Sequence, residues 1–357
     1  MADMSNGYDR IDAYSANGTI QGLFIYLVRV DAGFLDVDCL SLPQAISSTP
    51  SHTGINQCNP YPSFFAPTNN QKPVRSQLML PSPLLLEINP PHCTMSAPIS
   101  LTPRFEIRQL GPEHQDWANA IVIHSNIFCS PIWPNIYPTD KTKRLYQSFR
   151  ASDYLIAHQI ASGLSYGIFD KEYKYKYPSS KETGGKLHWD LNNETATRDQ
   201  LVQQMDFPLV SVAMSYNGSS PLDLDRLKPL FEAMPLFPAI LQRLTELDSR
   251  GEVTTHEGVL MRNGTSTRAD YEGHGLMKRM AHWLMRDAAT KGFKGIEIPC
   301  FHDAVIGVWS NPPAPFRGEI VAQLNIKDKE EVDEDGKETK PYTHVDQQVA
   351  RIYVALV

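Results

Sequence analysis

The segment Asp270-Tyr271-Glu272-Gly273-His274-Gly275 has residue types and a spacing that can do chemistry. Two glycines one residue apart open backbone conformations that other residues rarely adopt, so successive N–H groups can point outward. The apolar spacing that follows is helical, which puts the turn at a helix N-terminus, where unpaired amides and the helix dipole favour an anion. Phosphate or pyrophosphate is the natural guest. A plain strand-to-helix connection would carry the same residues. Two common phosphate loops do not fit. A P-loop needs Gly-Lys-Ser/Thr, where this chain has Gly275-Leu276-Met277. A dinucleotide fingerprint needs a third glycine where Lys278 stands, and more βα units than the remaining chain can supply.

The turn must be held by the elements on either side. Alternation predicts a strand over residues 258–267, with a bulge at Asn263-Gly264. A helix is predicted over residues 276–291, with Leu276, Met280, Leu284 and Ala288 on one stripe and Met277, Ala281 and Met285 beside it. Gly292 stops it, and residues 295–298 form the next strand. Upstream, the pattern predicts a strand over 104–110, a helix continuing to about residue 128, a helix over 141–150, and strands over 154–161, 164–169 and 207–216. Residues 171–198 read as a long polar loop. Residues 223–249 have helical spacing interrupted by Pro229, Pro235 and Pro238, so short helices are expected there. Residues 319–326 and 348–357 are the last strands. Between those strands, residues 327–340 hold seven acids and four lysines, the composition of a solvated loop.

Composition bounds the rest. Residues 1–103 hold 12 of the 27 prolines and only 11 charged residues, and residues 41–100 show neither a strand nor a helix period. Such a segment buries too little apolar area to offset the entropy of ordering, so residues 1–103 are expected to be a largely disordered extension, with one short strand at residues 23–30. A net charge of −7 argues against a nucleic-acid partner, and no apolar run is long enough to span a bilayer. Five scattered cysteines without a C-x-x-C pair form neither a disulfide framework nor a zinc site, so a reducing, cytoplasmic setting and no metal are expected.

The segment from Asp270 to Leu276 resembles the acyl-CoA-binding motif R/Q-x-x-G-x-G/A of the GCN5-related N-acetyltransferase superfamily, and the order of elements over residues 104–357 is similar too. The resemblance implies an α/β fold of that kind: a mixed, twisted sheet flanked by helices over residues 104–357, with a helical insertion at about 218–252. It implies acetyl-CoA as co-substrate, its pyrophosphate held by backbone N–H groups of Tyr271, Glu272, Gly273, His274, Gly275 and Leu276. Its pantetheine arm would lie along Ser266, Thr267 and Arg268 like an added strand. Asp270 stands where Arg or Gln is usual, and Glu272 where a basic residue is common.

Acyl transfer to an amine needs the free base, so a group must take the ammonium proton, and the departing thiolate needs an acid. Backbone N–H groups can stabilise the tetrahedral oxyanion between the two steps. Related enzymes often place a base at the start of the motif strand, which here points to Glu257, next to His256. Trp309 occupies the neighbourhood of the tyrosine that usually serves as acid, leaving Cys300, Ser310 and Tyr342 as substitutes. The expected acceptor is a primary amine on a small molecule. Residues 128–134, Tyr137, Tyr166 and residues 231–237 make an aromatic lining suited to an apolar or aromatic amine. A catalytically inactive acyl-CoA-binding protein and a protein N-acetyltransferase are the alternatives.

Overall fold

A computed structural model describes residues 101–356 apart from 252, 254 and 333–335. The extension and the strand expected at residues 23–30 lie outside the described residues.

The chain opens with β1 (Phe105–Gln109), α1 (Gln115–His124), a π-turn at Ser125–Cys129, α2 (Trp133–Ile136), α3 (Lys141–Ala151), α4 (Asp153–Ala161) and β2 (Tyr166–Asp170). Then follow α5 (Pro178–Thr183), β3 (Lys186–Leu187), α6 (Arg198–Gln203), β4 (Met205–Asp206) and β5 (Leu209–Asn217). Two short helices come next, α7 (Leu224–Ala233) and α8 (Leu236–Glu246). After it come β6 (Val259–Thr267), α9 (Leu276–Thr290), β7 (Gly295–Cys300), α10 (Asp303–Ser310), β8 (Arg317–Asn325), the small pair β9 (Glu331–Val332) and β10 (Glu338–Thr339), and β11 (Gln348–Ala355).

Seven strands form one sheet in the order β1-β2-β5-β6-β7-β11-β8. Every neighbouring pair is antiparallel except β6–β7, which runs parallel. The fold is therefore α/β, a mixed sheet flanked by helices. Central β5 is buried along Leu209–Tyr216, as a strand covered on both faces must be. One face packs Met214, Tyr216 and Met261 against α1, α3, α4, α7 and α8. The other packs Ala213, Ile298 and Ile352 against the Met280, Leu284 and Met285 stripe of α9 and Trp309 of α10.

Four local expectations change. Residues 154–161 form α4, not a strand: Leu155, Ile156, Gln159 and Ile160 are buried together, a helical set that a short apolar run does not distinguish from a strand. The helix expected to reach residue 128 ends at His124 and widens into the π-turn. The polar segment 171–198 contains α5 and β3, and residues 327–340 fold back as the β9–β10 pair. The short helices expected over residues 223–249 are found as α7 and α8; Pro229 sits inside α7 without ending it, and the break falls at Met234-Pro235. The bulge lies where expected: Ala213 pairs with Thr265 and Ser215 with Arg262, so Met214 faces both Asn263 and Gly264. Gly264 takes φ +116° there. Among the described residues, no helix is long and apolar enough to cross a membrane.

Candidate functional site

The parallel strands β6 and β7 pair only from Val259 to Met261 and from Gly295 to Glu297. Beyond that point they part. On one side the bulge bends β6, its Asn263 carbonyl held by Gln159 Nε2 at 2.8 Å. On the other, Pro299 has no N–H to extend a ladder. The opening is the floor of a cavity of roughly 600 Å³, lined there by Asn263, Gly264, Thr265, Ser266 and Thr267 and by Ile298, Pro299 and Cys300.

The glycine turn forms one rim of the same cavity. Gly273 and Gly275 take φ +80° and +67°, the left-handed region that favours glycine, and a Cβ at either would meet nothing. Backbone conformation therefore demands these glycines, and the space above the turn stays open. α9 starts at Gly275 with no side-chain cap and no acid in its first turn. Its first amides thus lack intrahelical partners at the positive end of the helix. Tyr271, Glu272, Gly273, Gly275, Leu276, Met277 and Lys278 all line the cavity.

The two acids of the turn differ in their surroundings. Asp270 is gripped by Arg268, whose Nε and Nη2 donate to its carboxylate at 3.1 and 2.8 Å. Arg268 also donates to the Phe207 carbonyl at 2.9 Å and is buried, so it belongs to the wall and not to the cavity. Glu272 is exposed and is the one carboxylate among the described residues that line the cavity. Tyr271 ties the turn down. Its hydroxyl donates to Asp170 Oδ2 at 2.7 Å, and Arg104 donates to both oxygens of the same carboxylate at 2.9 and 2.5 Å. Burial alone would push the Asp170 carboxyl up, but hydrogen bonds from Arg104 and Tyr271 hold it below the usual carboxylate range.

Of the expected cofactor-binding residues, Ser266, Thr267, Tyr271, Glu272, Gly273, Gly275 and Leu276 come together at the cavity, while Arg268 and His274 do not line it. The expected catalytic residues are dispersed. Cys300 lines the cavity, but burial pushes its thiol well above the usual range even with Arg262 nearby. Arg262 is itself wholly enclosed: Nη1 donates to Ser215 Oγ at 2.9 Å, Nη2 donates to Thr265 Oγ1, and burial pushes the guanidinium down to about 9. Glu257 is exposed in the turn before β6, outside the cavity. Tyr342 lies outside it as well; its hydroxyl donates to Glu331 Oε1 at 2.9 Å, and burial together with that carboxylate raises it.

Sequence reasoning missed His302, which lines the cavity. Its Nδ1 accepts the Ala304 N–H at 3.0 Å, capping α10 and leaving the neutral ring's proton on Nε2. A polar residue at the start of segment 302–309, which the resemblance places as the last helix, was the available signal. Ser148 and Ser152 also line the cavity, and nothing in local sequence marks them.

The end of the cavity away from the turn is apolar. Trp133, Phe237 and Phe301 surround one another with ring centroids 5.8 to 6.2 Å apart. Leu155, Ile156, Leu230 and Met234 add to them. Tyr137, expected there, stacks behind Trp133 at 6.3 Å. Tyr166 is a correction: it is buried on the α9 face against Trp283, with centroids 4.8 Å apart, because strand alternation turns it away from the cavity. Among the described residues, no group of three or more His, Cys, Asp or Glu is placed to hold a metal ion.

No family model matches the chain, and no curated protein matches it. Among solved structures it is similar to the C-terminal condensation domain of Ebony in complex with β-alanyl-dopamine, at 13% identity and TM-score 0.43, over 70% of this chain and 97% of that one. It is similar to arylalkylamine N-acetyltransferase 2 from Aedes aegypti at 11% identity and TM-score 0.41, over 71% and 99%. A mosquito arylalkylamine N-acetyltransferase-like protein, 5b, gives 12% identity and TM-score 0.38, over 70% and 98%.

Proposed function

We propose that the chain is an acyl-CoA-dependent N-acyltransferase of the GCN5-related kind that transfers an acetyl group from acetyl-CoA to the primary amine of a small apolar or aromatic molecule. One observation carries this reading. The uncapped, acid-free start of α9, the opening between β6 and β7 and the aromatic chamber around Trp133 are parts of a single cavity. An elongated anionic thioester and an apolar amine could meet in it end to end.

In this reading, backbone N–H groups from Tyr271 to Leu276 take the pyrophosphate, and the Ser266-Thr267 edge of β6 pairs with the pantetheine arm as an added strand. The Arg268–Asp270 pair keeps the Asp270 charge away from the phosphates. The thioester lies between Gly264-Thr265 and Cys300, where strand amides freed by the splay can stabilise the oxyanion. The amine nitrogen attacks the thioester carbon and the C–S bond breaks. The ammonium proton passes to water in the cavity and on to the departing thiolate, to which the neutral His302 ring offers its Nε2–H as a hydrogen bond.

Calorimetric titration of the chain with acetyl-CoA tests the assignment, with Gly275→Trp as the comparison. Micromolar binding that the substitution abolishes supports the pyrophosphate position. A folded wild-type chain that binds neither acetyl-CoA nor a longer acyl-CoA would falsify it. A second reading, binding without turnover, draws on Glu257 and Tyr342 lying outside the cavity and on the raised Cys300 thiol. Tight acetyl-CoA binding with no product from any amine would favour it.

A further inference from the structure

Ser148 lines the cavity from α3, and the residue is 0% exposed. Its Oγ has no hydrogen-bond partner. A serine inside a helix ordinarily bonds the carbonyl four residues back, here Arg144, and Ser148 does not do so. A buried hydroxyl without a partner is unfavourable, so an orphan in the wall of a binding cavity points to a ligand group that completes it.

Ser152 stands four residues further along and lines the same wall. Its hydroxyl donates to Asn119 Oδ1 at 2.7 Å. The proton is committed there, and a lone pair remains to accept. Ser148 can therefore donate and Ser152 can accept, which together match one hydroxyl group. Charge narrows the partner further. Among the described residues that line the cavity, Glu272 in the glycine turn is the one carboxylate and Lys278 in the first turn of α9 the one Lys or Arg, so the lining offers little to pair with a second ammonium or a carboxylate. Trp133, Phe237 and Phe301 line the same cavity.

We infer that the acceptor is a phenol-bearing amine whose ring hydroxyl accepts from Ser148 and donates to Ser152. This rests on the acyltransfer reading for the word acceptor, but the site itself rests on the serines. Its polar end selects for the hydroxyl, and its aromatic walls take the ring.

The test is direct calorimetric binding of tyramine and of 2-phenylethylamine to the full chain, with and without CoA, in wild type, Ser148→Ala and Ser152→Ala. The two ligands differ only in the hydroxyl. Wild type should bind tyramine about tenfold more tightly, the size of one buried hydrogen bond. Ser148→Ala should bring the ratio below about threefold, and Ser152→Ala should lower it as well. Thermal melts establish that each variant folds, and either variant alone suffices if the other does not. Equal wild-type affinities overturn the inference, as expected if water alone satisfies Ser148. So does binding of neither amine, or a preference that both variants retain. Loss of acetyl-CoA binding with the hydroxyl preference intact would instead overturn the acyltransfer reading and leave this inference standing.

Discussion

The Tyr271 hydroxyl donates to Asp170 Oδ2 at 2.7 Å, joining the glycine turn to the end of β2 across 101 residues of sequence. Arg104 grips the same carboxylate from just before β1, so the turn is clamped to two strands on the edge side of the sheet. A backbone anion site works only if its amides are already aimed, and in the proposed function that is what this clamp would supply.

Tyr271→Phe removes that hydrogen bond and little else. A hydrogen bond to a charged group contributes about 1.5–3 kcal/mol, part of which should appear as looser binding. Calorimetry should show acetyl-CoA affinity lower by roughly three- to tenfold. An unchanged affinity would mean that the turn holds its shape without the clamp.

Asp270→Asn leaves the buried Arg268 guanidinium without its counter-charge. Asp270 is about a third exposed, so the cost falls below that of a fully enclosed pair, at about 1–3 kcal/mol. Urea unfolding should show a lower midpoint with an unchanged slope. A variant as stable as wild type would show that water compensates Arg268.

Glu257→Gln, Tyr342→Phe and Cys300→Ala should each keep kcat/KM within about threefold of wild type, since none of the three presents an ionisable group to the cavity in a usable state. His302→Ala should lower kcat by about tenfold or more. A hundredfold loss in any of the first three, with His302→Ala unaffected, would return the proton chemistry to the residues first expected from the sequence.

His124 gives the pH dependence. Burial pushes its imidazole down to about 4, against a hydrogen bond from Nε2 to the Arg198 carbonyl at 3.2 Å. The unfolded value is about 6.5, so the stability gained by keeping the ring neutral is fully present above pH 6.5. It is lost as pH falls towards 4, by on the order of 3 kcal/mol. Melting temperatures from pH 7.5 to 4.5 should fall less steeply in His124→Gln than in wild type. Parallel curves would place the acid sensitivity elsewhere.

Where the physics is local, the sequence was readable. The glycine turn, α9, Gly292 as its stop and the Asn263-Gly264 bulge follow from φ requirements and a 3.6-residue apolar period, which involve only neighbours in the chain. α4 was misread because a short apolar run satisfies either period, and packing against α1 and β5 decides between them.

Sequence alone thus determined the turn and the helix it starts, because backbone conformation and helix polarity are properties of consecutive residues. Only the tertiary structure decided which side chains share the cavity. Glu257 and Tyr342 fell outside it, Tyr166 turned to the opposite face, and His302 and Ser148 came in. The physical reason is that burial and hydrogen-bond pairing depend on residues distant in the chain. Whether Asp270 meets Arg268 or a phosphate, and whether the Ser148 hydroxyl finds a partner, is settled by how β6 leaves β7 and how α3 and α4 pack over the opening.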